Sequence, residues 1–245
     1  MSILKSICVK RGKNTVLEQI NLRIGAGEWV LLCGPSGAGK SSLLRLLAGL
    51  DAHAKGEMSR LGKSIPLGAD LYNRLDGRVA LLVQNPEHHF IATTVAEDIM
   101  WGLIQRDTPV QEARASCIEL AKALRIDHLL ERPCHTLSFG EQRRAALAGL
   151  LVMKPALLLL DEPTAGLDPV ASNELIRLVE ELIQGTDTIC VWATHDLHSI
   201  PLQANRTILL KEGRVIFDGD TKEGLSHAQL VRAGLALPKE QDSCC

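Results

Sequence analysis

Apolar and polar residues alternate from Leu4 to Val9 and again from Ile20 to Ile24, a period of two that predicts two strands with one buried face each. Gly25-Ala26-Gly27 supplies a turn, and the apolar run Trp29 to Cys33 predicts a third strand that feeds directly into Gly34-Pro35-Ser36-Gly37-Ala38-Gly39-Lys40-Ser41. The leucine-rich stretch Leu43 to Leu50 predicts a helix after that loop. Val79 to Val83 is another short apolar run, delivering Gln84 at its end. From there to about Leu151 the spacing is mostly helical. Thr108, Pro109 and Gln111 predict a helix start with an N-cap hydroxyl, a proline at the first helical position and an amide three residues past the cap. Val110, Ala113, Cys117, Leu120, Ala121 and Leu124 recur at helical spacing and should face a core.

Leu157 to Leu160 carries no polar residue, as expected of a strand covered on both faces in a parallel α/β core, and it presents Asp161 and Glu162 at its end. Leu175, Leu178, Val179 and Leu182 mark the next helix. Ile189 to Ala193 predicts the strand that delivers Thr194 and His195. Thr207 to Leu210 and Val215 to Asp218 flank Lys211-Glu212-Gly213-Arg214 as a closing hairpin. Strands that end in polar residues along one edge point to one active site there. No internal repeat or low-complexity linker interrupts the pattern.

The candidate chemistry begins with the glycine loop. In a strand–loop–helix setting its backbone N–H groups converge on phosphate oxygens, Lys40 reaches the terminal phosphates and the Ser41 hydroxyl can ligate magnesium. In a magnesium nucleotide site, one strand-end acid holds the metal while its neighbour polarises the attacking water; Asp161 takes the first role and Glu162 the second. A chance glycine loop and a solvated acidic turn are the bland alternatives, and a lone histidine such as His195 is more often a satisfied structural group than a catalytic one.

Composition sets limits on the rest. At 245 residues and 46% hydrophobic content the chain can bury one substantial core. A net charge of −2 gives no global attraction to nucleic acid or anionic lipid, so no nucleic-acid partner is expected. No apolar stretch approaches the roughly twenty residues of a membrane-spanning helix, and the alternating N-terminus is unlike a signal peptide, so a cytosolic chain is expected. Cysteines at 8, 33, 117, 134, 190, 244 and 245 show no metal-ligand or disulfide spacing, and Pro238 to Cys245 is expected to be a polar, disordered tail.

The order of motifs adds more. The glycine loop, Gln84, Leu137-Ser138-Phe139-Gly140-Glu141-Gln142, Leu160-Asp161-Glu162-Pro163, Ala165-Gly166-Leu167-Asp168 and Thr194-His195-Asp196 together resemble the ATP-binding-cassette ATPases, over about Ile3 to Asp220. The resemblance implies an α/β P-loop NTPase fold with a mostly parallel core sheet, an antiparallel β part and an inserted helical subdomain at about 86–151, within one domain over 1–236. It also implies ATP and Mg²⁺ as cofactors and hydrolysis of ATP to ADP and phosphate. Gly34, Pro35, Ser36, Gly37, Ala38, Gly39, Lys40, Ser41 and Ser42 would bind the triphosphate, with Ser41, Gln84 and Asp161 at the metal. Ser138 and Gly140 would bind the γ-phosphate of the opposite subunit, Glu162 would be the general base, Asp168 would cross the dimer interface and His195 would hold the γ-phosphate and water in register. Arg11 stands where the family usually has an adenine-stacking aromatic; a guanidinium can stack on a base, and the alternative is a plain surface charge. Phe139 replaces the usual glycine of the signature but leaves Ser138 and Gly140 in place.

Gln84-Asn85-Pro86-Glu87, Phe90 and Thr94 to Ile99 resemble the energy-coupling-factor importers, and the Phe139 variant is similar to their cobalt and nickel branch. That resemblance implies a second ATPase subunit, with a homodimer expected, a transmembrane coupling protein and a substrate-binding membrane protein as partners at the cytoplasmic face of the membrane. His88 and His89 are expected to be interface residues rather than metal ligands. The alternatives are an importer ATPase for a vitamin or other small solute and a soluble cassette ATPase that remodels a macromolecular complex. A regulatory switch that rarely turns over conflicts with Glu162.

Overall fold

The computed structural model describes residues 1–51, 54–68, 76–201 and 203–235. The expected tail, 237–245, lies outside them, as do Cys244 and Cys245. Two sheets form the scaffold. The first, in order β2-β1-β4-β5, is antiparallel and contains β1 (Ser2–Arg11), β2 (Asn14–Ile24), β4 (Ala54–Arg60) and β5 (Lys63–Ile65). The second runs β10-β9-β3-β8-β7-β6. Its members are β3 (Trp29–Cys33), β6 (Val79–Leu82), β7 (Leu157–Asp161), β8 (Ile189–Thr194), β9 (Arg206–Lys211) and β10 (Arg214–Asp220). All its pairings are parallel except the β9–β10 hairpin, as the sequence pattern requires.

Alternate side chains of the parallel strands enter two different cores, which is why these strands read as unbroken apolar runs. Leu31, Cys33, Leu158, Leu160, Cys190, Trp192 and Leu209 share one core with the helices that follow β6. Val30, Leu32, Leu157, Leu159, Val191, Ile208 and Leu210 share the other with Leu4, Ile7, Leu17 and Ile20 of the antiparallel sheet and with α1 (Lys40–Ala48). Leu157 to Leu160 are each 0% exposed, and burying each such side chain stabilises the fold by about 1.5–3 kcal/mol.

Between β6 and β7 lie α2 (Val95–Ile104), α3 (Val110–Ala123) and α4 (Phe139–Leu151), with short 3₁₀ turns between them. Thr94 and Glu97 close a capping box at the start of α2, satisfying two of the N–H groups that a helix end leaves over. The start of α3 differs from the expectation: Pro109, in an extended conformation, takes the cap position, the helix begins at Val110 and no side chain caps it. Val110 consequently points outward and is 59% exposed, whereas Ala113, Cys117, Ala121 and Leu124 are buried as their spacing predicts. After β7, α5 (Pro169–Ile183) packs on the sheet through Leu175, Leu178 and Val179, and α6 (Thr221–Gly224) and α7 (His227–Ala233) follow β10. Glu174 of α5 pairs with Arg125, after α3, and with Arg144 of α4, fastening the helical segment to the helix behind β7.

Two strands, β4 and β5, have no counterpart in the pattern reading. Ala54, Met58 and Arg60 are the buried positions of β4, too polar a set for periodicity to reveal. Gly56 has φ +118, and a Cβ there would lie 2.7 Å from the carbonyl oxygens of both Lys5 and Ser6, so glycine permits the close approach of β4 to β1 at a register shift.

Candidate functional site

β3, β6, β7 and β8 end together, because their parallel registers align Cys33 with Thr194 and Asp161 with Ala193. Every residue that follows these ends therefore meets at one edge, the usual place for ligands in parallel α/β sheets. The loop from Gly34 turns tightly into α1. A Cβ on Gly34 would lie 2.2 Å from the Leu210 carbonyl oxygen, and Gly39, at φ +105, caps α1 with no side-chain bond to its first N–H groups. Gly34→Ala is expected to destabilise the chain by at least about 1–3 kcal/mol and to weaken nucleotide binding. Chemical denaturation and a nucleotide titration on the same preparation check both effects.

Lys40 is 6% exposed, and its Nζ donates to the carbonyl oxygens of Gly34, at 2.7 Å, and Pro35, at 3.2 Å. It also stands 3.5 Å from Glu162 Oε1. Glu162, itself 6% exposed, has the left-handed backbone value φ +48, and its N–H donates to Ala193 O. Both carboxylate oxygens are held: Oε2 accepts from Thr194 Oγ1 at 3.1 Å and from the His195 N–H at 3.4 Å, and Oε1 lies 2.7 Å from His195 Nδ1. This is a carboxylate fixed in direction, with a cation on one side and an exposed imidazole on the other. Such an arrangement can orient and deprotonate a water beside a phosphate.

Asp161, the last residue of β7, is buried, and burial raises its carboxyl above the usual range while a hydrogen bond with Ser41 acts the other way. Its Oδ1 is a buried oxygen with no hydrogen-bond partner among the described residues. An orphaned carboxylate oxygen beside a serine hydroxyl fits a hard cation that takes its remaining ligands from phosphate and water. Among the described residues no group of three or more His, Cys, Asp or Glu side chains is placed to hold a metal.

A cavity of about 750 Å³ adjoins these groups, lined by Ser41, Gln84 and Asp161 together with Phe139, Ala165 and Gly166. The residues expected to serve an opposite subunit lie beyond it. Ser138 caps α4 in a capping box with Glu141, Gly140 faces Leu167, and the Phe139 ring abuts Gly166. Asp168 Oδ1 caps α5 by accepting from the N–H groups of Val170, at 2.8 Å, and Ala171, at 3.0 Å. Arg11 stands apart at the end of β1, 3.8 Å from Asp51. His89 Nε2 accepts the Val83 N–H at 2.9 Å, and burial pushes its pKa down to about 4, so it is a neutral brace for the strand end. Sequence reasoning missed the bond from Thr194 to Glu162. Ser138 is legible as a serine capping a helix, and only the Glu141 half of its capping box was passed over, although Ser-x-x-Glu before a helix is a readable signal.

The "ABC transporter" family model matches residues 17–165, more than half of the chain. The chain belongs to the ABC transporter family. Among curated relatives, the energy-coupling factor transporter ATP-binding protein of Methanocaldococcus jannaschii is 36% identical over 225 residues, covering 91% of this chain and 80% of the relative. A counterpart from Clostridium perfringens is 34% identical over 224 residues, covering 91% and 79%. A solved structure from Clostridium perfringens, described as part of the ABC transporter complex cbiONQ, superposes with a TM-score of 0.82 at 31% identity, covering 94% of this chain and 92% of that one. An ATP-binding cassette solved as a dimer bound to ADP and Pi gives 0.78 at 27% identity, covering 90% and 98%. The expected ABC ATPase fold is thus borne out, and this member is an ATPase that groups with the energy-coupling-factor ATP-binding subunits. No helix among its described residues is long and apolar enough to cross a membrane. Cys33, Cys117, Cys134 and Cys190 are buried free thiols, and burial pushes Cys33 up to about 12.

Proposed function

We propose that this ABC ATPase is the hydrolysing subunit of an importer of energy-coupling-factor type, with cobalt or nickel ions as the cargo class. The observation that carries the hydrolytic part is the Glu162 carboxylate, fixed by Thr194 and His195 and flanked by Lys40. ATP lies along Gly34 to Ser42, with Lys40 on its terminal phosphates and Arg11 beside the base. Glu162 takes the proton of the attacking water while His195 and Gln84 keep the water and γ-phosphate in line. Asp161 and Ser41, with Gln84, would hold Mg²⁺, which would supply positive charge against the phosphate oxygens.

Residues 1–236 form one ATPase domain with a helical insert at about 86–151. Two copies close on two ATP molecules, each offering Ser138, Gly140 and Asp168 to the other's site. Support for the membrane arrangement comes from the relatives, and from Ile91, 67% exposed on the segment after Gln84. A transmembrane coupling protein docks against that segment at the cytoplasmic face and passes the motion to a substrate-binding membrane protein. The cobalt or nickel cargo rests on the cbiONQ neighbour and the Phe139 variant of the signature.

Affinity purification of the tagged chain in mild detergent from its native membranes tests the assembly. The expected result is co-purification of two different membrane proteins, one of them the solute binder. Recovery from the soluble fraction with ribosomal or DNA-bound partners overturns the importer reading and favours a remodelling ATPase.

A further inference from the structure

Arg143 sits one turn into α4 and is 0% exposed. Its guanidinium reaches two other segments and a ring of its own helix at once. Nη1 donates to Val83 O at 3.2 Å, Nη2 donates to Ala165 O at 3.3 Å, and the group lies 5.1 Å from the centre of the Phe139 ring. Val83 immediately precedes Gln84, and its N–H is taken by His89, so both backbone groups of that residue are held by side chains from the following helical segment. Ala165 begins the loop that carries Asp168, and the Phe139 ring fills the space beside Gly166 of the same loop.

This arrangement is a poor one for stability alone. A fully buried guanidinium faces two carbonyls and a ring, has the Asp161 carboxylate within electrostatic reach but none in ion-pair contact among the described residues, and leaves Nε without a partner. Replacing buried charges by apolar side chains of similar size is often neutral or stabilising. What Arg143 supplies is a rigid planar fork with two donors at a fixed spacing, which an ammonium cannot reproduce.

We propose that Arg143 is a positioning residue for ATP hydrolysis, holding the Gln84 strand end and the Asp168 loop at a fixed separation on the signature helix. The inference rests on the placement of Gln84 at the γ-phosphate and of Asp168 at the dimer interface. A phosphate engaged by Ser138 at the start of α4 would then be registered by both loops through one side chain. Without the fork the two loops relax separately, while Gly34 to Ser42 remain able to bind ATP.

The test compares R143M, R143K, Q84A and the Q84A/R143M double variant in the full chain by steady-state ATPase assay, Mg-ATP titration and thermal unfolding. R143M is expected to lower kcat about 10–100-fold, as small misplacements of reacting groups do. KM and ATP affinity should stay within about twofold of the parent and Tm should be equal or higher. R143K should recover part of kcat, since lysine can reach one carbonyl at a time, and Q84A combined with R143M should fall no further than the weaker single variant. Full turnover in R143M overturns the proposal, and so does a joint fall of turnover, ATP affinity and Tm, the mark of a mere strut. If R143M does not fold, R143K decides: lowered kcat at unchanged KM and Tm supports positioning, and full activity overturns it. Parent-like turnover in Q84A alongside a slow R143M also overturns the proposal, since Arg143 would then not be acting through Gln84.

Discussion

Replacing Glu162 with Gln should reduce the turnover of ATP by about 10²–10⁴-fold, the usual contribution of a positioned general base. The amide has nearly the shape of the carboxylate and can still accept from Thr194 Oγ1 and the His195 N–H, which now serve Oε2. Its other end becomes an NH₂ group, which His195 Nδ1 can accept from but which cannot take a proton from water. ATP binding should therefore survive, and E162Q should accumulate as a closed dimer in Mg-ATP. Phosphate release and size-exclusion chromatography with ATP check the two halves of this expectation. Parent-like phosphate release in the variant would remove Glu162 from the role of base.

Lys40→Ala should fail at an earlier step. A hydrogen bond to a charged group contributes about 1.5–3 kcal/mol, and each 1.4 kcal/mol is a factor of ten, so ATP affinity should drop roughly 10–100-fold. The loss has a second source. Lys40 ties the Gly34 and Pro35 carbonyls to the start of α1, and its removal loosens the loop as well as deleting the cation. Calorimetric titration with a non-hydrolysable ATP analogue measures the affinity. An unchanged Kd with depressed kcat would instead confine Lys40 to the transition state. The pair of variants thus separates binding from chemistry at two side chains 3.5 Å apart.

The sequence made the parallel sheet readable because its strands are apolar on both faces and three of them lead into polar residues, Gln84, Asp161 and Thr194. The edge where Asp161, Glu162 and His195 meet follows from those strand ends, and the glycine loop brings Lys40 to it. β4 escaped because a buried Arg60 and a close-approach Gly56 break its alternation, and the pattern carries no sign of the partner strand that makes both tolerable. The cap of α3 was misplaced by one residue because Pro109 is compatible with both the first helical position and the cap, and only its extended backbone separates the two. Asp161 and Glu162 were legible as acids at a strand end. The link from Thr194 to Glu162 was not, since it joins residues 32 apart across two strands. Arg143 was hidden for a related reason: an arginine on a helix reads as a solvated face unless the loops covering it are known.

The capping box at Ser138 has a consequence for how two copies would come apart. Ser138 Oγ donates to Glu141 Oε2 at 2.8 Å and its N–H donates to the same oxygen at 2.7 Å, and these bonds hold the Glu141 carboxyl below the usual carboxylate range. The hydroxyl proposed to meet the opposite subunit's γ-phosphate thus already has an anionic acceptor within its own chain. Closing the proposed dimer would then be an exchange of one anion for another. The net gain is the difference between two bonds of similar kind, far less than the full strength of either. In the proposed dimer, Glu141 stands where it would take back that donor once the γ-phosphate leaves, so the residue that completes the capping box would also compete with the opposite site's phosphate.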